Sequence, residues 1–274
     1  MNILAGLLII AAVTAVAVSA MLFVRRRAPE GSYFTDGDRA SGVFGVMATG
    51  FSLLLGFIIF LAFSSYDSSR AGATSEATVV AQQIETAQFF EDDTRDALTG
   101  ELICYGRSVA GIEWDRAEEG TLGTSVNPWA AAMYRTILDV TPNSDTEQSA
   151  YDRWMDQTGA REEARNERVH GVGGVVPVPL WVVLYLIAGV IIAYMLFFAD
   201  SGEGALTQAM LMGGVSVVIT SLFLLLMFLD SPFTEGVGGL RPVAMERTLH
   251  LAHEQLDIAG LDITLPCGAD GAQR

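Results

Sequence analysis

The chain has 274 residues, 51% of them hydrophobic, and sets 16 basic against 32 acidic residues for a formal net charge of −16. Such acidity disfavours nucleic acid and anionic headgroups as partners, and the clustering of the apolar residues excludes a single large soluble domain. Every basic residue is arginine; a GC-rich coding bias and a high-salt milieu explain this equally well, and both point to a prokaryotic source.

Four uncharged stretches organise the chain: Ile3 to Val24, Val43 to Ser65, Gly171 to Ala199 and Ala205 to Leu229. At a rise of about 1.5 Å per residue, each is long enough as an α-helix to cross a hydrocarbon core of about 30 Å. The first lacks a positive n-region and is followed, not preceded, by Arg25, Arg26 and Arg27, so it is expected to be a retained helix rather than a signal peptide. Residues 1–42 are therefore read as a first transmembrane helix with an Arg-rich short loop, which the positive-inside rule, counting Arg39 as well, places in the cytoplasm. That puts the region 66–170 outside the cytoplasm. Against it, Arg161, Arg165 and Arg168 precede the third span, and 200–204 carries no positive charge.

The second span, 43–65, is expected to continue as one helix to Phe90, because Ala73, Ala77, Val80, Ala81, Ile84 and Ala87 recur at helical spacing with no proline between them. Glu91 to Thr94 interrupts it and supplies acidic residues suited to a helix N-terminus over Asp93 to Gly111. Ala117 to Ser125 reads as a glycine-rich acidic loop. Asn127-Pro128 opens a helix through Asp139, and Ser144 with Glu147 matches a capping box for a charged helix over Asp145 to Arg168. The acidic region 66–170 is thus helical. A glycine hinge, Gly171 to Gly174, and Pro177 and Pro179 lead into the third span (171–199), whose Trp181 and Tyr185 suit an interface. The fourth span (205–229) is followed by an elbow, a helix and a tail over 230–274. Ser52, Gly56, Gly189, Ala193, Gly213 and Gly214 allow close helix approach within the spans.

No phosphate-binding glycine loop with its lysine, paired CxxC unit, HExxH or nucleophile elbow occurs, and no span holds an internal acidic or basic residue of the kind proton relays need. Enzymatic activity is not expected, and no cofactor is. His250 and His253, near Glu246 and Glu254, have a spacing compatible with metal ligands, but a solvated amphipathic helix explains it more simply, and no metal is assigned. Arg161, Arg165 and Arg168 stand one turn apart. Pairing with Glu162, Glu163 and Glu167 is the plainer role; an anion-attracting collar, multiplied into a ring by oligomerisation, is the functional alternative. Ser52, Gly56 and Phe60 share one helix face, which is either a pore wall or a packing seam. Asp230, Pro232 and Phe233 read as a structural elbow: proline stops the helix, aspartate caps the next turn and phenylalanine folds back onto apolar surface. Cys104 and Cys267 lie on one side of the membrane in any four-span topology, either as a disulfide or as two unpaired small residues.

Taken in order, the arginines after a short first span, a second span ending in Tyr66-Asp67 with Arg70, Arg165-Asn166-Glu167-Arg168, Pro179-Leu180-Trp181, and Leu229-Asp230-Ser231-Pro232-Phe233 with Gly236 and Pro242 resemble the bestrophin-like family of prokaryotic membrane proteins over roughly Ala40 to His253. The resemblance implies the architecture of bestrophins, which are pentameric anion channels with four spans and long helices continuing out of the bilayer. It also implies a cytoplasmic bulk, opposite to the placement read from the arginines. The expectation is an all-α, four-span, bestrophin-like protein of the cell membrane, homo-oligomeric, acting as an anion channel or channel-like pore on an inorganic anion. A non-conducting scaffold or sensor binding a protein or cation through its acidic helices is the alternative.

Overall fold

The computed structural model describes residues 3–122 and 126–274, and the end of the expected loop Ala117 to Ser125 lies outside them. Among the described residues there are nine helices and no strand, only an isolated bridge between Cys267 and Gln273. They are α1 (Ile3–Arg25), α2 (Gly37–Ala87), α3 (Asp92–Ala110), α4 (Ile112–Glu118), α5 (Pro128–Leu138), α6 (Asp145–His170), α7 (Val178–Phe197), α8 (Ala205–Leu229) and α9 (Val243–Ala259). Of these, α1, α2, α7 and α8 are long and apolar enough to cross a membrane.

The chain divides into two compact units. The first comprises Met1–Ser64 and Gly174–Asp230. Here α1 lies along α8, with Ala17, Met21 and Met212 buried between them. A Cβ on Gly213 would stand 3.5 Å from Val18 and 3.7 Å from Thr14, ordinary contact distances. The loop Asp200 to Gly204 has no basic residue of its own, yet Arg25 at the end of α1 donates to the carbonyls of Ser201 and Glu203, tying that loop to α1. Asp200 accepts from the Gly31 and Gly202 amides, which hold its carboxyl below the ordinary value. In the same unit Phe34, Phe44, Tyr194, Phe197 and Phe198 form an aromatic cluster.

The second unit comprises Ser65–Gly173 and Ser231–Arg274. It holds the outer half of α2, α3 to α6 and α9, around a core that includes Val80, Leu98, Leu102, Trp129, Met133, Trp154 and Met245. Its helix ends follow local chemistry. Asn127 accepts the Trp129 amide at 3.0 Å with Pro128 at the first helical position, and Ser144 accepts the Glu147 amide at 3.1 Å. The returning half of the expected box is displaced by one residue, since Glu147 accepts from the Asn143 amide at 2.8 Å.

Three boundaries depart from expectation. α2 begins at Gly37, six residues before the apolar stretch, because Asp36 caps it by accepting the Arg39 amide. The third apolar stretch becomes helical only at Val178: residues 171–177 form the connection, as Pro177 at the cap and Pro179 in the first turn dictate. Ala117 and Glu118, expected in a loop, end α4 instead, where Trp114 and Ala117 are buried with Leu122, Phe233 and Leu240.

Candidate functional site

On α2, within the first unit, Ser52, Gly56 and Phe60 face outward. Phe60 is 63% exposed, and a Cβ on Gly56 would meet nothing within 4 Å. The Ser52 hydroxyl donates to the Ala48 carbonyl at 2.8 Å. The opposite face, with Phe51, Leu55, Ile58 and Ala62, is buried. Gly56 and Phe60 therefore stand clear of the described helices, while Ser52 borders a groove that Ile191 of α7 and Gly214 and Val218 of α8 also line. Continuing at helical spacing, the outer half of α2 exposes Asp67, Ala71, Thr74 and Thr78 in the second unit.

The three arginines of α6 turn inward. Arg168 has no exposed surface; its Nε donates to Glu76 at 2.5 Å and its Nη2 donates to Glu113 at 2.7 Å and to Glu76 at 3.2 Å. Arg165, 19% exposed, pairs with Glu113 at 2.9 Å. Arg161, 1% exposed, reaches the Gln83 amide oxygen at 2.7 Å and the Met133 sulfur at 3.5 Å, and stands 5.1 Å over the Tyr105 ring. The Tyr105 hydroxyl donates to Glu76 at 2.5 Å, and Asn127 adds a donor to Glu113 at 3.1 Å. Salt bridges to Glu76 on α2 and Glu113 on α4 thus stand where pairing along α6 was expected; Glu162, Glu163 and Glu167 stay exposed.

Counted together, three guanidinia meet two carboxylates, so one buried positive charge is solvated by an amide, a thioether and a ring face rather than by a carboxylate. Burial lowers the Arg161 guanidinium from its ordinary value. For Arg168 burial acts in the same sense, but Glu76 and then Glu113 outweigh it and raise the value. Glu113 is the mirror case: burial pushes it up, yet Arg168 and then Arg165 hold it below the ordinary carboxylate value. Burial and then the Glu76 charge push the Tyr105 phenol well up, so it serves as a neutral donor. With Arg161 and Arg168 sealed, neither guanidinium touches solvent, and a passing anion meets at most the edge of Arg165.

Sequence reasoning missed Glu76 and Glu113 because partners from other helices are invisible in a one-dimensional pattern. One signal was present: Glu76 falls among Ala73, Ala77 and Val80, an acidic residue on an apolar face, which calls for a buried hydrogen-bonding or cationic partner.

The elbow differs from its expected roles. Asp230 ends α8 but caps no following turn; its Oδ1 accepts the Val175 and Val176 amides at 2.7 and 2.9 Å, fixing the connection ahead of α7. Pro232 comes after α8 has already ended at Leu229. Phe233, 2% exposed, folds back onto apolar surface, edge-on to Trp114 at 5.3 Å inside the second unit's core. On α9, His250 lies 3.6 Å from Glu254 at the surface, while His253 faces the Leu249 carbonyl at 2.6 Å and Arg107 at 3.2 Å. Since Arg107 can only donate, His253 Nε2 accepts and Nδ1 carries the proton. No group of three or more metal-ligating side chains gathers among the described residues. Cys104 and Cys267 are joined in a disulfide, both sulfurs buried.

A family model described as the Bestrophin-like domain matches residues 11–244. No curated protein matches. Among solved structures, a bacterial bestrophin homologue from Klebsiella pneumoniae carrying a point mutation is 14% identical, with a TM-score of 0.64, covering 95% of this chain and 100% of its own. The same homologue phased with zinc gives 14%, 0.63, 95% and 100%, and a membrane-protein variant gives 14%, 0.65, 92% and 98%. At these identities the structural likeness speaks to the fold: four long apolar helices and a helical extramembrane unit. With the family model spanning most of its length, the chain belongs to the bestrophin-like family.

Proposed function

We propose that the protein is an oligomeric anion channel or channel-like pore in the manner of bestrophins, with α2 lining the path. The observation that carries this is the exposed face of α2 within the first unit, where Gly56 and Phe60 stand open and Ser52 borders a groove; within the second unit, taken by itself, α2 exposes Asp67, Thr74 and Thr78. A helix that packs one face and leaves a partly polar face bare is what a ring of copies needs around a central path. In this reading the acidic unit lies on the extracytoplasmic side; Arg25 to Arg27, and a disulfide of the kind favoured in an oxidising compartment, both support this.

Chloride efflux from proteoliposomes tests the reading, with oligomeric state recorded on the same sample. Efflux above that of empty vesicles, abolished by Ser52→Trp or Gly56→Leu in an intact oligomer, is expected; a monomer, or an oligomer with no flux, refutes it. The second reading, a scaffold or sensor, is favoured by an open groove of about 1190 Å³ that Glu85, Asp152 and Asp156 make acidic. Absence of flux together with a stoichiometric co-purifying partner would support it.

A further inference from the structure

The C-terminal segment lies in a track of small residues on one face of α3. Gly100 faces Ile263, Leu265 and Pro266; Cys104 meets Cys267; Gly111 faces the Asp270 carbonyl. Gly271 sits directly on the backbone of Arg107 and Ser108: a Cβ there would stand 2.2 Å from the Ser108 nitrogen, and its φ of +80° already disfavours any side chain. Positions 100, 104 and 108 share a face of α3 and Gly111 follows at its end, and the tail follows them in the same direction as α3. Polar bonds fix its register. The Trp129 indole donates to the Gly271 carbonyl at 2.7 Å, Arg107 donates to the Gly268 carbonyl at 3.3 Å, and the Arg274 amide returns to Pro266 at 3.2 Å, closing a compact ring. The family model ends at residue 244, so this segment lies beyond the matched domain.

We infer that residues 260–274 are a redox latch: a tail that docks in the small-residue track of α3 and is then locked there by oxidation of Cys104 and Cys267. Docking brings the two sulfurs together, so the bond seals a fit that the noncovalent contacts have already made. Closing is a two-electron step. With the tail lifted, the Cys267 thiol loses its proton and attacks a disulfide-bearing thiol oxidoreductase, forming a mixed disulfide and breaking the oxidoreductase S–S bond. As the tail docks, the Cys104 thiolate attacks Cys267 Sγ, and the oxidoreductase departs as its dithiol, having taken up two electrons and two protons. Opening requires the reverse exchange with a dithiol. Since both sulfurs are buried, a reductant reaches them only when the tail lifts. The latch is therefore unlocked, its tail free to lift and reseat, while the chain is in a reducing compartment and locked after delivery to an oxidising one, and this does not depend on whether the protein conducts.

The test uses the full-length protein isolated from native membranes without reductant. Mass spectrometry is expected to find both cysteines in one disulfide; free thiols on both overturn the inference. A water-soluble phosphine under native conditions should then reduce Gly271→Ala at least about tenfold faster than wild type, because that variant cannot seat its tail and opens more often; Arg107→Gln, a milder lesion, should fall between. Equal rates in all three overturn it. Should Gly271→Ala fail to fold, the double substitution Cys104→Ser/Cys267→Ser decides: hydrogen exchange across 260–274 should accelerate about tenfold or more while α1, α7 and α8 keep wild-type protection. Unchanged tail protection in that variant overturns the latch.

Discussion

Replacing Arg168 by methionine tests the interior of the acidic unit. Methionine fills much of the arginine volume but removes the one cation that serves two buried carboxylates. Glu113 keeps Arg165 and Asn127, whereas Glu76, with no exposed surface, keeps only the Tyr105 hydroxyl. Breaking a buried pair by deleting one partner costs about 3–5 kcal/mol, because the remaining charge is stranded. Arg168→Met is therefore expected at about 4 kcal/mol, several times the ordinary surface substitution. Adding Glu76→Gln should recover about 2 kcal/mol, since a neutral amide still accepts from Tyr105 and strands no charge. Urea unfolding of the detergent-solubilised protein, followed by near-ultraviolet circular dichroism of Trp114, Trp129 and Trp154, reads both. An Arg168→Met cost below about 1 kcal/mol, or a double variant no more stable than the single, refutes the view that Arg168 is chiefly the counter-charge of Glu76.

Other substitutions separate tight from open positions. A Cβ on Gly72 would stand 2.4 Å from the Arg168 nitrogen and 2.7 Å from the Ala164 carbonyl oxygen, so Gly72→Ala must part α2 from α6 and should cost about 3 kcal/mol; Gly56→Ala, with open space around it, should be neutral or slightly stabilising. Equal thermal midpoints for the two would contradict the close approach. Glu113 has a folded-state pKa lowered from about 4.5, so its contribution is fully present above that value and is lost as pH falls through the lowered one. Thermal unfolding between pH 7 and pH 3 should fall more steeply in wild type than in Glu113→Gln, and parallel curves would remove the claim. Asp230→Ala gives up two bonds to backbone amides and should cost about 2–3 kcal/mol, with Asp230→Asn recovering part of it; an Asp230→Ala variant that loses no more folded protein on heating than wild type would show that the carboxylate is not the acceptor that matters.

Four apolar stretches, the helices after Asn127 and Ser144 and the long continuation of α2 were all legible in the sequence, because each depends on residues a few positions apart. Hydrocarbon thickness sets the span length, proline and glycine punctuate, and cap residues bond to amides within the next turn. The α4 helix escaped that reading: its seven residues are too short for a period to emerge, and Trp114 and Ala117 hold it by packing against residues more than a hundred positions away.

The site was legible only in residue type. Three arginines one turn apart look the same on a line whether they face water or an interior. Their direction was decided by Glu76 and Glu113, brought from α2 and α4 by packing that lets Gly72 touch the backbone of α6. Likewise the cysteines admitted two readings until the small residues of α3 and the ring of the tail brought their Cα atoms to 5.7 Å across a separation of 163 residues. Local periodicity and hydrophobic length belong to the sequence because they act over a few residues. The pairing of buried charges, the seating of the tail and the bare face of α2 belong to the tertiary structure, because each is defined by which distant surface is, or is not, against it.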